Sequence, residues 1–111
     1  MNPELEQPLT ISVEQDQGMV VLALVGELDP QTAPLLTEQI EAVRARSDFS
    51  ETVVLDLSGI TFVDSSGLRV WIDAQKAMTA DERRLVFRHP SPHVARLLEI
   101  TGLMEQFEVI K

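Results

Sequence analysis

The chain contains no cysteine. A disulfide scaffold, a Cys-ligated zinc site and a cysteine nucleophile are therefore all excluded. Positive charge is scarce. No Lys or Arg precedes Arg44, whereas eight Asp or Glu do, and the net charge is −9. Phosphate contacts need Lys and Arg, so nucleic acid is a poor partner for such a surface. An anionic membrane surface is disfavoured for the same reason. Long apolar runs are also missing. The longest, Met19 to Val25, is far too short to span a bilayer. The N-terminal MNPELEQPLT has acids, prolines and no basic stretch, unlike a secretory signal. Together these absences lead us to expect a cytoplasmic protein without membrane insertion.

What is present is an ordinary globular composition, 44% hydrophobic and 24% charged over 111 residues, the size of one domain. The surplus of acid has two readings: charge that keeps a small domain soluble, or an acidic face that docks on a basic partner.

Residues Met1 to Pro8 read as a loose tail, with one domain over residues 9–111. Leu9, Ile11 and Val13 alternate with Thr10, Ser12 and Glu14, the period of a half-buried strand. Asp16-Gln17-Gly18 supplies a turn. Met19 to Val25 runs apolar without alternation, as expected of a strand covered on both faces. These two strands form a hairpin, and Gly26-Glu27-Leu28-Asp29-Pro30 is expected to break the second. A helix follows from about Thr32 to Arg46, with Leu36, Ile40 and Val43 in one stripe. Thr52 to Leu57 is the next strand, and Ser66 to Met78 the next helix. Arg84 to Phe87 is a strand, and His89-Pro90-Ser91-Pro92 a loop. Val94 to Thr101 is a short helix that Gly102 is placed to end. Leu103 to Ile110 fits a strand or a turn of helix equally. The order ββαβαβα plus this C-terminal segment implies an α/β fold: right-handed crossovers and a mixed, mostly parallel sheet flanked by helices.

The junction FVDSSGLRV, Phe62 to Val70, concentrates chemistry between a strand and a helix. Asp and Ser are favoured helix N-caps, which accounts for one of Asp64, Ser65 and Ser66. A serine hydrolase elbow needs Gly two residues before and after the serine. Ser65 has Val63 and Gly67 there, and Ser66 has Asp64 and Leu68, so neither fits. The two histidines, His89 and His93, flank the Pro-rich loop. No P-loop pattern is present. A modified serine fits better: phosphate at a helix N-terminus gains from the dipole and backbone N–H groups. Such a group would alter docking rather than fold.

Two segments then carry a resemblance. LVGELDPQTAPLL, Leu24 to Leu36, and VVLDLSGITFVDSSGLRV, Val53 to Val70, resemble the anti-sigma factor antagonist family, the bacterial STAS domain. The C-terminal RLLEITGLMEQFEV, Arg96 to Val109, is similar to that family's closing helix. The resemblance implies a regulatory protein rather than an enzyme. It implies a kinase-like anti-sigma factor as partner, resembling histidine kinases, and a phosphatase that resets the switch. The second serine of Asp-Ser-Ser-Gly, here Ser66, would accept phosphate, with Ser65 the alternative. Asp29 matches the family's first-loop acid and Asp64 its signature acid. The partner surface implied comprises Asp29, Asp64, Ser65, Ser66, Gly67 and Arg69. ATP belongs to the partner kinase, so no cofactor is expected of this chain. Asp29 before Pro30 equally suits a turn that caps the first helix. Arg69 and Trp71 depart from the family pattern. Arg69 suits a solvated helix face, or pairs with a phosphate or an acidic partner, and Trp71 suits the core or an interface. The same fold also serves as an accessory subunit of lipid-transport ABC complexes and as an adaptor in chemotaxis-like clusters, and these are the alternatives.

Overall fold

The computed structural model describes residues 8–46 and 51–110. The elements run β1 (Leu9–Asp16), β2 (Met19–Leu28), α1 (Ala33–Arg44), β3 (Thr52–Val63), α2 (Ser65–Ala80), β4 (Arg84–Arg88), α3 (Pro92–Ile100), α4 (Leu103–Gln106) and β5 (Glu108–Ile110). The strands form one sheet in the order β1-β2-β3-β4-β5. β1 pairs antiparallel with β2, and every later pairing is parallel. This is the α/β architecture expected, with Leu103 to Ile110 providing both a turn of helix and an edge strand.

Two expected boundaries are corrected. β2 does not break at Gly26 but continues to Leu28, and β3 continues past Leu57 to Val63. The reason is irregular pairing rather than termination. The β2–β3 register shifts between Ala23 and Val25 and again between Gly26 and Glu27, as bulges do. Gly26 has φ 124° and its missing Cβ makes room for the Pro8 carbonyl, which accepts the Glu27 N–H at 2.8 Å. Glycine in a strand thus marks a close backbone approach. Pro8, assigned to the tail from sequence, is bound to the sheet at this point. The rest of that stretch lies outside the described residues. α1 is shorter than expected because Thr32 is its N-cap residue and Ala45 its C-cap.

The parallel crossovers advance in one direction along the sheet, and crossovers of one hand then place their helices on the same face. Leu36 and Ile40 of α1, Trp71 and Met78 of α2 and Leu98 of α3 all join one apolar cluster with Leu22, Leu55 and Phe87 of the strands. Trp71 is 0% exposed. Its ring meets Phe87 edge-on at 5.6 Å, and Phe87 stacks on Phe107 at 4.4 Å. Trp71 is therefore core, a use that aromatic area and ring geometry favour.

The expectation that β2 is covered on both faces holds only in part: on the second face Val21 is buried, Met19 and Ala23 are half-buried and Val25 is 54% exposed. Val21, Val54 and Val86 form a separate small cluster on the opposite face. The ion pair of Arg88 with Asp56 (3.0 Å) and that of Arg84 with Glu108 lie on this same side by strand alternation. Burial pushes Asp56 up, but hydrogen bonds from the Ser58 N–H and hydroxyl and the Arg88 guanidinium outweigh it, holding the carboxyl below its usual range. Hydrogen bonding from Arg84 likewise holds Glu108 low.

Candidate functional site

The site sits at the carboxyl ends of β2 and β3, where open α/β sheets generally bind. Leu28 and Val63 end these strands as a register pair. The Asp64 N–H donates to the Leu28 carbonyl at 3.1 Å. Asp29 and Asp64 therefore leave the sheet from adjacent positions, and their two loops stand side by side.

Asp64 is the N-cap of α2. Its Oδ1 accepts the N–H groups of Ser66 at 2.8 Å and Gly67 at 3.3 Å. Its carbonyl accepts the Leu68 N–H at 3.0 Å. The capping role read from sequence thus belongs to Asp64 and leaves both serines free of it. It also corrects one expectation. A phosphate on Ser66 would not find the amides of Ser66 and Gly67 open, because Asp64 holds them.

Asp29 closes the turn that opens α1. Its Oδ1 accepts the N–H groups of Gln31 at 2.9 Å and Thr32 at 3.0 Å, an Asx-type turn. Thr32 answers it. The Thr32 hydroxyl accepts the Asp29 N–H at 3.0 Å and donates to the Glu27 carbonyl at 2.7 Å. The turn foreseen for Asp29 is present, but the N-cap residue of α1 is Thr32 rather than Asp29.

Gly67 is where α2 packs onto the strand ends. A Cβ there would stand 2.6 Å from Val63 Cγ2 and 2.8 Å from Leu28 Cβ. The glycine lets the helix seat close to the sheet and fixes how Ser65 and Ser66 are presented. Ser65 is exposed and Ser66 half-buried. Ser66 opens on a groove of about 590 Å³ between α1 and α2, whose walls include Pro30, Ala33, Pro34, Arg69 and Val70. Arg69 pairs with Asp73 at 3.4 Å, both side chains largely in solvent.

A family model described as "Mlab, STAS domain" matches residues 11–110. The anti-sigma-B factor antagonist of Listeria monocytogenes is 34% identical over 98 residues, covering 86% of this chain and 82% of that one. The chain belongs to the STAS domain family. An anti-sigma factor antagonist from Mycobacterium paratuberculosis superimposes with a TM-score of 0.81 at 32% identity, over 91% of this chain and 84% of that one. The phosphorylated form of SpoIIAA, the Bacillus cell fate determinant, shares the fold with a TM-score of 0.69 at 21% identity, over 92% of each chain. The resemblance carried by the two sequence segments is borne out.

Within this STAS domain the structure brings Asp29, Asp64, Ser65, Ser66, Gly67 and Arg69 to one end of the sheet. His89 and His93 follow β4 and are not among the residues that line the groove. Sequence reasoning passed over two contributors. Thr32 is 1% exposed and its hydroxyl ties the α1 turn to the end of β2. Pro30, Ala33 and Pro34 form the apolar wall of the groove. Of these, Ala33 continues the buried Leu36–Ile40–Val43 stripe one turn towards the N-terminus, and Pro30 and Pro34 lie outside it. Among the described residues no cluster of His, Asp or Glu suits a metal ion, and no helix is long and apolar enough to cross a membrane.

Proposed function

We propose that this STAS domain is an anti-sigma factor antagonist acting in the cytoplasm, a regulatory binding protein switched at Ser66. In its unmodified form it docks on a histidine-kinase-like anti-sigma factor through the end of the sheet that carries Asp29, Asp64 and the groove beside Ser66. That kinase transfers the γ-phosphoryl group of ATP to Ser66 Oγ, with loss of the hydroxyl proton and departure of ADP. The phosphate then breaks the complex, and a phosphatase restores the hydroxyl.

The observation that carries this reading is the placement of Ser66. It lies on the rim of an apolar groove, on a helix whose cap is supplied by another residue. A serine needed for the fold would be bonded; this hydroxyl is left for other use. Its half-buried position favours it over the exposed Ser65, because a charge at the groove alters the docking surface itself. The added charge of about −1.5 to −2 sits at a groove walled by Pro30, Ala33, Pro34 and Val70, so it acts on a docked partner by the cost of desolvating it. The names of the curated relatives and the phosphorylated member of the same fold support the reading by likeness.

Incubation with the anti-sigma factor kinase of the same host and radiolabelled ATP tests it. Label on a peptide containing Ser66, absent in Ser66→Ala, is expected. Label on Ser65, or none, would overturn the assignment of the switch to Ser66.

A further inference from the structure

We propose that Arg69 is the counter-charge for a phosphate on Ser66, giving up Asp73 for the phosphate and drawing its guanidinium across the mouth of the α1–α2 groove. This rests on the phospho-switch reading above and adds which residue receives the charge and how the docking surface is closed.

Asp64 already occupies the amides at the start of α2. Its carboxylate and carbonyl hold the N–H groups of Ser66, Gly67 and Leu68. The usual source of stabilisation for a helix N-terminal phosphate is thereby largely spent. A phosphate on Ser66 would also stand beside the Asp64 carboxylate. It needs a cation from a side chain. Arg69 is the one cation among the residues lining the groove onto which Ser66 opens, and Glu38 is the one anion. Ser65 is not part of that lining, so the geometry favours pairing with the second serine.

Arg69 is free to make the exchange. Its ion pair with Asp73 is long, at 3.4 Å, with side chains 77% and 60% exposed. Exposed pairs of this kind contribute little. The order is also the weaker one, since an acid C-terminal to the base opposes the helix dipole preference. A phosphate at Ser66 reverses that order. It places the anion N-terminal to Arg69 at i,i+3, a spacing at which helical side chains meet. It also offers three acceptor oxygens to a planar guanidinium fork. The move carries the guanidinium from the second turn of α2 toward the first, over the wall formed by Pro30, Ala33 and Pro34. Phosphorylation would then do two things at once: add charge and cover the apolar groove.

The test uses the full chain with phosphoserine installed at position 66 during translation, followed by ³¹P NMR through a pH titration. The comparison is between the parent, Arg69→Gln, Arg69→Lys and Asp73→Asn. Loss of the paired cation raises the second ionisation of the phosphate. We expect Arg69→Gln to raise its midpoint by about half a pH unit, the scale of one solvent-screened charge pair. Arg69→Lys, which keeps the charge and loses the fork, should fall between. Asp73→Asn, which releases Arg69, should lower the midpoint. Equal midpoints in the parent and Arg69→Gln would overturn the pairing. Because no kinase is used, that result leaves the switch reading standing, whereas failure of the partner kinase to label Ser66 leaves the pairing result intact.

Discussion

The backbone N–H of Asp64 donates to the carbonyl of Leu28 at 3.1 Å, joining the ends of two parallel strands at the point where both chains turn into helices. The bond sets the Asp29 turn and the Asp64 cap side by side. Ser66 is positioned by this frame rather than by contacts of its own hydroxyl. The functional end of the domain is therefore testable through its supports.

Removing the cap separates its structural from its docking role. Asp64→Ala should cost about 0.5–2 kcal/mol, the range for loss of an N-cap side chain. Asp64→Asn keeps an acceptor oxygen for the Ser66 and Gly67 amides and should stay within about 0.5 kcal/mol of the parent, as Asn caps as well as Asp. Urea unfolding of the two variants measures this. Equal, large losses in both would show that the carboxylate charge, not the cap bonds, holds α2.

Gly67 is expected to reject a methyl group. Helix propensity alone favours Ala over Gly by about 1 kcal/mol. Against that stand Val63 Cγ2 at 2.6 Å and Leu28 Cβ at 2.8 Å from the added carbon, neither of them the end of a flexible side chain. Overpacking costs about 1–3 kcal/mol, which outweighs the propensity gain, so Gly67→Ala should be net destabilising by up to about 2 kcal/mol. A variant as stable as the parent or more so would mean that α2 can lift from the sheet at no cost.

The α1 turn divides its work between a replaceable acceptor and a buried hydroxyl. Asp29→Asn keeps the Oδ1 acceptor and should change stability by less than about 0.5 kcal/mol. Thr32→Val removes a hydroxyl that donates to the Glu27 carbonyl and accepts from Asp29. It should cost about 1–2 kcal/mol, because both groups lose a partner in a partly buried place. With the turn intact in Asp29→Asn, any loss of partner binding by that variant reports the charge itself.

The open face of the sheet sets the response to acid. The Asp56 carboxyl is held below its ordinary range in the folded chain. A depressed folded value stabilises the protein above the unfolded value, and this contribution disappears as pH falls through the folded value. Glu108 follows the same sign. We expect unfolding free energy to fall as pH is lowered from about 5 through the carboxylate range. Asp56→Asn should cost about 1–2 kcal/mol at neutral pH, as the charge-assisted bond to Arg88 is lost, and should flatten the acid dependence. An unchanged acid slope in Asp56→Asn would assign the effect elsewhere.

Periodicity made most of the architecture legible. The Leu36–Ile40–Val43 stripe, the alternation of Leu9 to Val13 and the apolar run from Met19 to Val25 each fixed an element and the face it buries. Gly26 misled, since glycine in a sequence looks the same whether it ends a strand or admits a neighbouring backbone. Only the three-dimensional approach of Pro8 distinguishes the two. Cover on both faces of β2 was expected from its apolar run, and the run does not reveal that the second face opens to solvent at Val25. At the site, Asp-Ser-Ser-Gly marked the turn and Asp64 its cap. Trp71 stayed open between core and surface until Phe87 was seen against its ring. The groove wall was illegible, because Pro30, Ala33 and Pro34 become a surface only when α1 lies beside α2.

Calorimetric titration of the host's histidine-kinase-like anti-sigma factor with wild type, Ser66→Ala and Ser66→Asp tests the central claim most directly. Wild type and Ser66→Ala should bind alike, and Ser66→Asp should bind at least about tenfold more weakly, a difference of about 1.4 kcal/mol. Equal binding by all three, or binding only to the ATPase of a transporter regardless of residue 66, would contradict a switch at Ser66 and leave a constitutive scaffold built on the same turn.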